Sequence, residues 1–243
     1  MDAFSSPFDF AAVELLESLD VPFYKIASFE ITDTRLIDRV AQTGKPVIIS
    51  TGIAELADIY RAVETCHKAG NRRVVVLKCT SSYPAPSNEL NLRTILDMQE
   101  RFGVIIGFSD HTLSEVASVA AVALGARVIE RHLTMDRDTG GLDSGFSTNP
   151  EEFKSLVSSI RETQSALGGI TYELPHAGQS SRKFARSLYV IADVKAGEQV
   201  TEANIASVRP FTGIPAWHWE EVIGKTFVKP VLAGTPLSPD LLA

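Results

Sequence analysis

Two histidines 21 residues apart, His111 and His132, carry the strongest chemical signal in this 243-residue chain. Imidazole is the commonest side-chain donor to Zn- and Mn-type ions. A spacing of 21 is one strand-plus-helix step, and neighbouring parallel strands lie about 4.8 Å apart. Two imidazoles at adjacent strand ends can share one divalent ion; two separate histidines hydrogen-bonded in loops satisfy the spacing equally. The other histidines, His67, His176 and His218, read as surface residues.

Lys25, Ser28 and Glu30 form a second group, and Ser6, Ser50, Ser81 and Ser109 place further hydroxyls at the ends of β-branched runs. Several small donors around one cation suit a phosphate or carboxylate. Taken singly, the lysine tip can lie along the rim and any one serine can cap a helix. Asp143, inside Gly140-Gly-Leu-Asp-Ser-Gly-Phe-Ser147, can bind a sugar hydroxyl, act as a base or close an Asx-turn, the turn being the more frequent use. There is no P-loop, GxGxxG, CxxC or nucleophile elbow.

These residues need a scaffold, and the pattern supplies one. Short apolar runs at 22–27, 46–51, 73–79, 104–109 and 127–133 alternate with helical spacing at 11–19, 34–42, 56–69, 90–101, 113–124 and 150–167. Continuous runs such as Val47-Ile-Ile49 and Val74-Val-Val76 suit parallel strands covered on both faces. With a stub at 3–6, six strands are predicted. Thr34 and Asn149 are expected to cap helices, and Gly44, Gly70, Gly103 and Gly125 to end them. The polar residues fall at C-terminal strand ends, the active face of both barrels and doubly wound sheets. The α/β repeat runs over 1–168, a Gly/Ser/Pro-rich linker over 169–181, and short strands and turns over 182–243. A domain of that last size is near the lower limit for independent stability, which favours docking or dimerisation.

Lys and Arg number 23 against 30 Asp and Glu, a net charge of −7, with pI near 5.3 and mean hydropathy +0.07. This excludes non-specific nucleic-acid binding and a disordered chain. Two cysteines, no membrane-length apolar run and no signal peptide predict a cytoplasmic protein.

Five segments, Tyr24-Lys-Ile-Ala-Ser-Phe-Glu30, Gly44-Lys-Pro-Val-Ile-Ile-Ser-Thr-Gly52, Cys79-Thr-Ser-Ser-Tyr-Pro84, Gly107-Phe-Ser-Asp-His-Thr112 and Glu130-Arg-His-Leu-Thr134, closely resemble the sialic acid synthase family. That resemblance implies a (β/α)8 TIM-type barrel, here lacking its first strands, followed by a small β-rich antifreeze-like SAF domain. It implies condensation of phosphoenolpyruvate with an N-acetylated hexose to a nonulosonic acid. It also implies a divalent metal on His111 and His132, Mn2+ as a rule with Mg2+ or Co2+ as substitutes. Lys25, Ser28, Ser50, Ser109 and Ser6 match phosphoenolpyruvate positions, and Glu30, Tyr83 and Asp143 face the sugar, with Glu30 and Asp143 as the catalytic candidates for proton transfer. Arg209, with Phe184 and Arg186, would reach the neighbouring subunit's site in a domain-swapped homodimer. Ser81 stands where sialic acid synthases commonly carry Asn, and the Asp143-Ser-Gly-Phe-Ser147 loop, with its Phe146, departs from their Asp-His pattern. Both departures resemble the pseudaminic acid synthase branch, with a 2,4-diacetamido-2,4,6-trideoxy sugar; neuraminate or legionaminate synthesis is the alternative.

The resemblance further implies a segment before Met1 with two more strands and a second lysine. The 243-residue chain alone is therefore expected to have little synthase activity, and to be poorly soluble unless a partner closes the arc. A metal-dependent hydrolase or aldolase, and a non-catalytic carbohydrate-binding or assembly protein, are the competing readings.

Overall fold

Five parallel strands run in sequential order through a computed structural model that describes residues 2–138 and 140–243. They are β1 (Tyr24–Ile26), β2 (Val47–Ser50), β3 (Val74–Cys79), β4 (Ile105–Asp110) and β5 (Ile129–Arg131). The order β1-β2-β3-β4-β5 has no reversal, so the sheet is an arc of a barrel; a doubly wound sheet reverses at a switch point. Helices α1 (Phe10–Ser18), α2 (Thr34–Ala41), α3 (Leu56–Lys68), α4 (Thr94–Phe102), α5 (Val116–Ala123) and α6 (Pro150–Leu167) alternate with the strands or follow them. Val47, Ile49, Val74, Val76, Ile106 and Phe108 are buried in one core with Leu36, Ile59, Ile95 and Met98 of the helices.

The sixth strand expected at 3–6 is absent: these residues join no ladder. Only Ala3 and Phe4 are apolar there, Ser5-Ser6-Pro7 follows, and proline contributes no N–H to a ladder. Phe4 instead stacks on Phe23 at 4.1 Å. Helix α2 is capped by Asp33, whose carboxylate accepts from the N–H groups of Arg35 and Leu36, and Thr34 is its first residue. An anion satisfies that helix end better than a hydroxyl does. Helix α5 begins at Val116, later than expected, because residues 112–114 are held by Arg131 (below). Asn149 caps α6 as expected, in a reciprocal capping box with Glu152.

Cys66 and Cys79 are free and buried. Burial pushes the Cys66 thiol up to about 12 and raises that of Cys79 as well. The thiolate is the reactive form, so neither is expected to react with Ellman's reagent in the native protein at mildly alkaline pH. Both should titrate in guanidinium chloride; a fast-reacting native thiol would contradict this packing.

Residues 170–243 make a second compact unit. Residues 176–184, from the second half of the expected linker into the start of the segment after it, form short helical turns. Strands β6 (Ser187–Val190) and β7 (Ile205–Val208) pair antiparallel over a core of Leu188, Val190, Ile205, Phe227 and Leu237. Gly213 lies so close to the strand that a Cβ there would collide with the Leu188 carbonyl oxygen. No helix among the described residues is long and apolar enough to cross a membrane.

Candidate active site

Strand register builds the site. Cys79, Ser109 and Glu130 lie opposite one another on β3, β4 and β5, and Ser50 ends β2. Side chains alternate along a strand, so residues two further on project to the same side. His111 follows Ser109 by two and His132 follows Glu130 by two, which brings the imidazoles together with ring centroids 5.3 Å apart. The intervening residues, Asp110 and Arg131, are also in register but point to the helix side. There Arg131 Nη1 donates to Asp110 Oδ2 at 2.7 Å, with the side chains 5% and 0% exposed. Asp110 also accepts from Ser118 Oγ (2.5 Å) and the Thr112 N–H (2.8 Å). Arg131 further donates to Thr148 Oγ1 and to the carbonyls of Ser114 and Thr112. This pair was missed in the sequence, although each of its residues is the last of its strand and immediately precedes a histidine.

A pocket of about 390 Å³ collects Ser6, Lys25, Ser28, Ser50, Ser109, Tyr83 and both histidines, together with Glu130. Lys25, Ser28, Ser50, Ser109 and His111 are all buried. Lys25 Nζ stands 3.4 Å from Glu130 Oε2, and Ser109 Oγ donates to Glu130 Oε1 at 2.6 Å. Glu130, unassigned from the sequence, is thus the carboxylate that meets the lysine. Ser28 Oγ accepts from the Gly52 N–H. A Cβ on Gly52 would stand 2.6 Å from Ser28 Oγ and 2.9 Å from Cys79 Sγ, which explains a glycine at this rim. Ser50 Oγ, in the pocket lining, is buried without a hydrogen-bond partner; Ser81 Oγ is buried and unpartnered too, but Ser81 does not line this pocket. An unpaired buried hydroxyl is costly, and in a pocket with a buried ammonium the Ser50 hydroxyl is free to donate to an anion.

The other candidates are spread more widely. Glu30 follows Ser28 on a short 3-10 turn and does not line this pocket; its Oε2 is buried and unpartnered. Asp143 is exposed, with Oδ2 3.5 Å from His132 Nδ1. Tyr83 lies 4.3 Å from the His111 ring and 5.1 Å from Phe146, which in turn lies 5.0 Å from His132, all between centroids. The two imidazoles are therefore flanked by an aromatic face. Phe184, Arg186 and Arg209 are exposed residues of the second unit, where Arg186 donates to the Ser207 carbonyl at 2.6 Å. His67, expected at the surface, is half-buried, with Nε2 shielded and unpartnered.

The histidine pair fits a divalent ion. His111 Nδ1 lies 2.9 Å from the Thr80 carbonyl oxygen, which can only accept, so Nδ1 carries the proton and Nε2 keeps its lone pair. Burial, and then the neighbouring His111, hold His132 below the ordinary histidine range, which keeps its ring neutral. Among the described residues no group of three or more His, Cys, Asp or Glu is arranged around a metal position. Two imidazoles leave most coordination positions to water or substrate, as catalytic ions require and structural ones do not.

A sequence profile of the NeuB family matches residues 1–172, and one of the SAF domain matches residues 185–243. The pseudaminic acid synthase of Helicobacter pylori is 42% identical over 238 residues, which cover 98% of this chain and 70% of that protein. The N,N'-diacetyllegionaminic acid synthase of Campylobacter jejuni is 40% identical over 93% of this chain and 68% of its own. The crystal structure of the Bacillus subtilis spore coat polysaccharide biosynthesis protein SpsE superposes with a TM-score of 0.67 at 32% identity, covering 100% of this chain and 74% of that one. The chain belongs to the NeuB family and carries a SAF domain at its C-terminal end.

Proposed function

We propose that the strand-end pocket condenses phosphoenolpyruvate with a 2,4-diacetamido-2,4,6-trideoxy hexose to give a nonulosonic acid, pseudaminic acid, with release of phosphate. The observation that carries this reading is the buried Lys25 ammonium among Ser28, Ser50 and Ser109, in one pocket with two imidazoles. Lys25 and the hydroxyls hold the phosphate and carboxylate of phosphoenolpyruvate, displacing Glu130 from the lysine. His111 and His132 would hold a divalent ion, Mn2+ in this reading, which would supply Lewis-acid polarisation for the sugar's aldehyde. Held there, C3 of phosphoenolpyruvate is within reach of the aldehyde carbon, a gain from proximity. Water then adds to C2 and phosphate leaves with C–O cleavage. Glu130, freed from Lys25, is placed to take a proton from that water, while Asp143, beside His132, holds a sugar hydroxyl. Phe146 and Tyr83 give the sugar an apolar wall, which suits a methyl at C6. Ser81 and the Phe146 loop favour the pseudaminic over the legionaminic or neuraminic product, and a panel of the corresponding amino sugars tests the choice. The same proposal places Arg209, Phe184 and Arg186 of a second copy at the site in a domain-swapped dimer, which sedimentation of the chain checks.

Calorimetric titration of phosphoenolpyruvate decides the central point. Saturable binding that weakens about tenfold or more in Lys25→Met, a loss of roughly 1.4 kcal/mol, is expected; a wild-type chain that binds none overturns the reading. Turnover is a separate matter. Among the described residues the sheet is an open arc whose edge strands β1 and β5 each lack a second neighbour. Phosphate release dependent on both substrates and Mn2+ is expected to be slight for the 243-residue chain. A rate near that of the Helicobacter pylori enzyme would refute this.

A further inference from the structure

On the helix-facing side of the sheet the strands present Val47, Ile49, Val74, Val76, Ile106 and Phe108, all buried and apolar. Three charged residues interrupt this pattern near the C-terminal strand ends. Asp110 and Arg131 neutralise each other. The third is Lys78, in register with Phe108 and half-buried. Its Nζ donates to the Cys79 carbonyl at 2.7 Å and to Thr80 Oγ1 at 3.4 Å, and it forms no ion pair among the described residues. Burial correspondingly lowers its pKa. An ammonium kept in an apolar register without a counter-charge costs stability, and nothing in the chemistry of the strand-end pocket uses it.

Lys78 opens into a groove of about 470 Å³ between α3 and α4, within the usual size of small-molecule sites. Leu56 and Ile59 from α3 and Met98 and Phe102 from α4 supply apolar walls. Two carboxylates also line it. Asp97 already accepts from Arg101 Nε at 2.6 Å, whereas Glu89 has no ion-pair partner among the described residues. Glu89 is exposed and its charge is screened by water, whereas Lys78 is half-buried, so the groove's interior offers one positive charge and suits one carboxylate. We propose that this groove is a second ligand site that takes a small monocarboxylate, its head on the Lys78 ammonium and its apolar body against Leu56, Ile59, Met98 and Phe102. Cys79 lines both this groove and the strand-end pocket, and Thr80 holds His111, so an occupant lies one residue from the imidazole pair's support.

Benzoate is the probe. It is titrated into the full chain by calorimetry, with saturating phosphoenolpyruvate to occupy Lys25, in wild type and in Lys78→Met, Lys25→Met and Leu56→Asp. Saturable binding to wild type and to Lys25→Met is expected, with affinity reduced about tenfold or more in Lys78→Met. Methionine suits the apolar register, so Lys78→Met is expected to melt at a higher temperature than wild type. Leu56, 48% exposed at the groove's lip, tests the same site without touching the sheet, and its aspartate variant should lose a similar factor. Absence of saturable benzoate binding overturns the proposal. So does equal affinity in Lys78→Met and Leu56→Asp, or a loss confined to Lys25→Met, which would place benzoate in the strand-end pocket.

Discussion

His111→Ala and His132→Ala should each lower Mn2+ affinity by more than the 10–100-fold, roughly, that loss of a supporting partner costs a metal site. Phosphoenolpyruvate binding should be nearly unchanged. The split follows from the proposed reaction: the two rings, 5.3 Å apart, would be the paired nitrogen donors, while Lys25 and the serine hydroxyls would hold the anion. His111 is the more constrained of the two, because its Nδ1–H is committed to the Thr80 carbonyl and its Nε2 is thereby aimed. His132→Gln is expected to retain more affinity than His111→Gln, since Asp143 stands 3.5 Å from His132 Nδ1 and can donate in its place. Manganese binding is read by calorimetry or by the spin resonance of free Mn2+. Unaltered affinity in both alanine variants would remove the metal from this site, and a parallel loss of phosphoenolpyruvate binding would show that the two halves of the pocket are not separable.

Most of this site was legible because it lies on strand ends, where spacing translates directly into position. The interval of 21 residues recurs between Ser109 and Glu130, Asp110 and Arg131, and His111 and His132, since all three pairs share one register. The histidines could be paired from the sequence for that reason. Asp110 and Arg131 were overlooked although the same arithmetic applies, because a period of two puts them on the opposite side, where charges are not expected. Glu130 was visible in a motif, yet only the curvature of the sheet brings a β5 residue against Lys25 on β1. Glu30 and Asp143 illustrate the opposite failure. Both lie past the strands, on a 3-10 turn and a glycine-bracketed loop, where chain direction is set by local hydrogen bonds that spacing does not encode. The extra strand expected at 3–6 came from reading apolar character without asking which neighbour would supply its ladder.

The second large effect concerns the pair that sets that register. Asp110→Ala leaves Arg131 buried without its carboxylate, and breaking such a pair from one side typically costs about 3–5 kcal/mol. For a unit of this size that is a fall in melting temperature of about 6–20 °C. Three lines of structure converge on the residue: β4 to β5 through Arg131, β4 to α5 through Ser118, and the chain reversal after β4 through the Thr112 N–H. Removing the carboxylate should therefore loosen the relative positions of residues 111 and 132 as well as the fold. The double variant Asp110→Leu with Arg131→Met separates these consequences. It removes both charges at once, leaves no uncompensated ion, and is expected to recover most of the lost stability, since well-packed apolar replacements of buried pairs are often neutral or better. Its Mn2+ affinity should stay low, because Arg131 also fixes the Thr112 and Ser114 carbonyls that hold the loop beside His111. Full recovery of metal binding along with stability would mean that the ion pair serves the fold alone, and that the imidazoles find each other through the sheet without it.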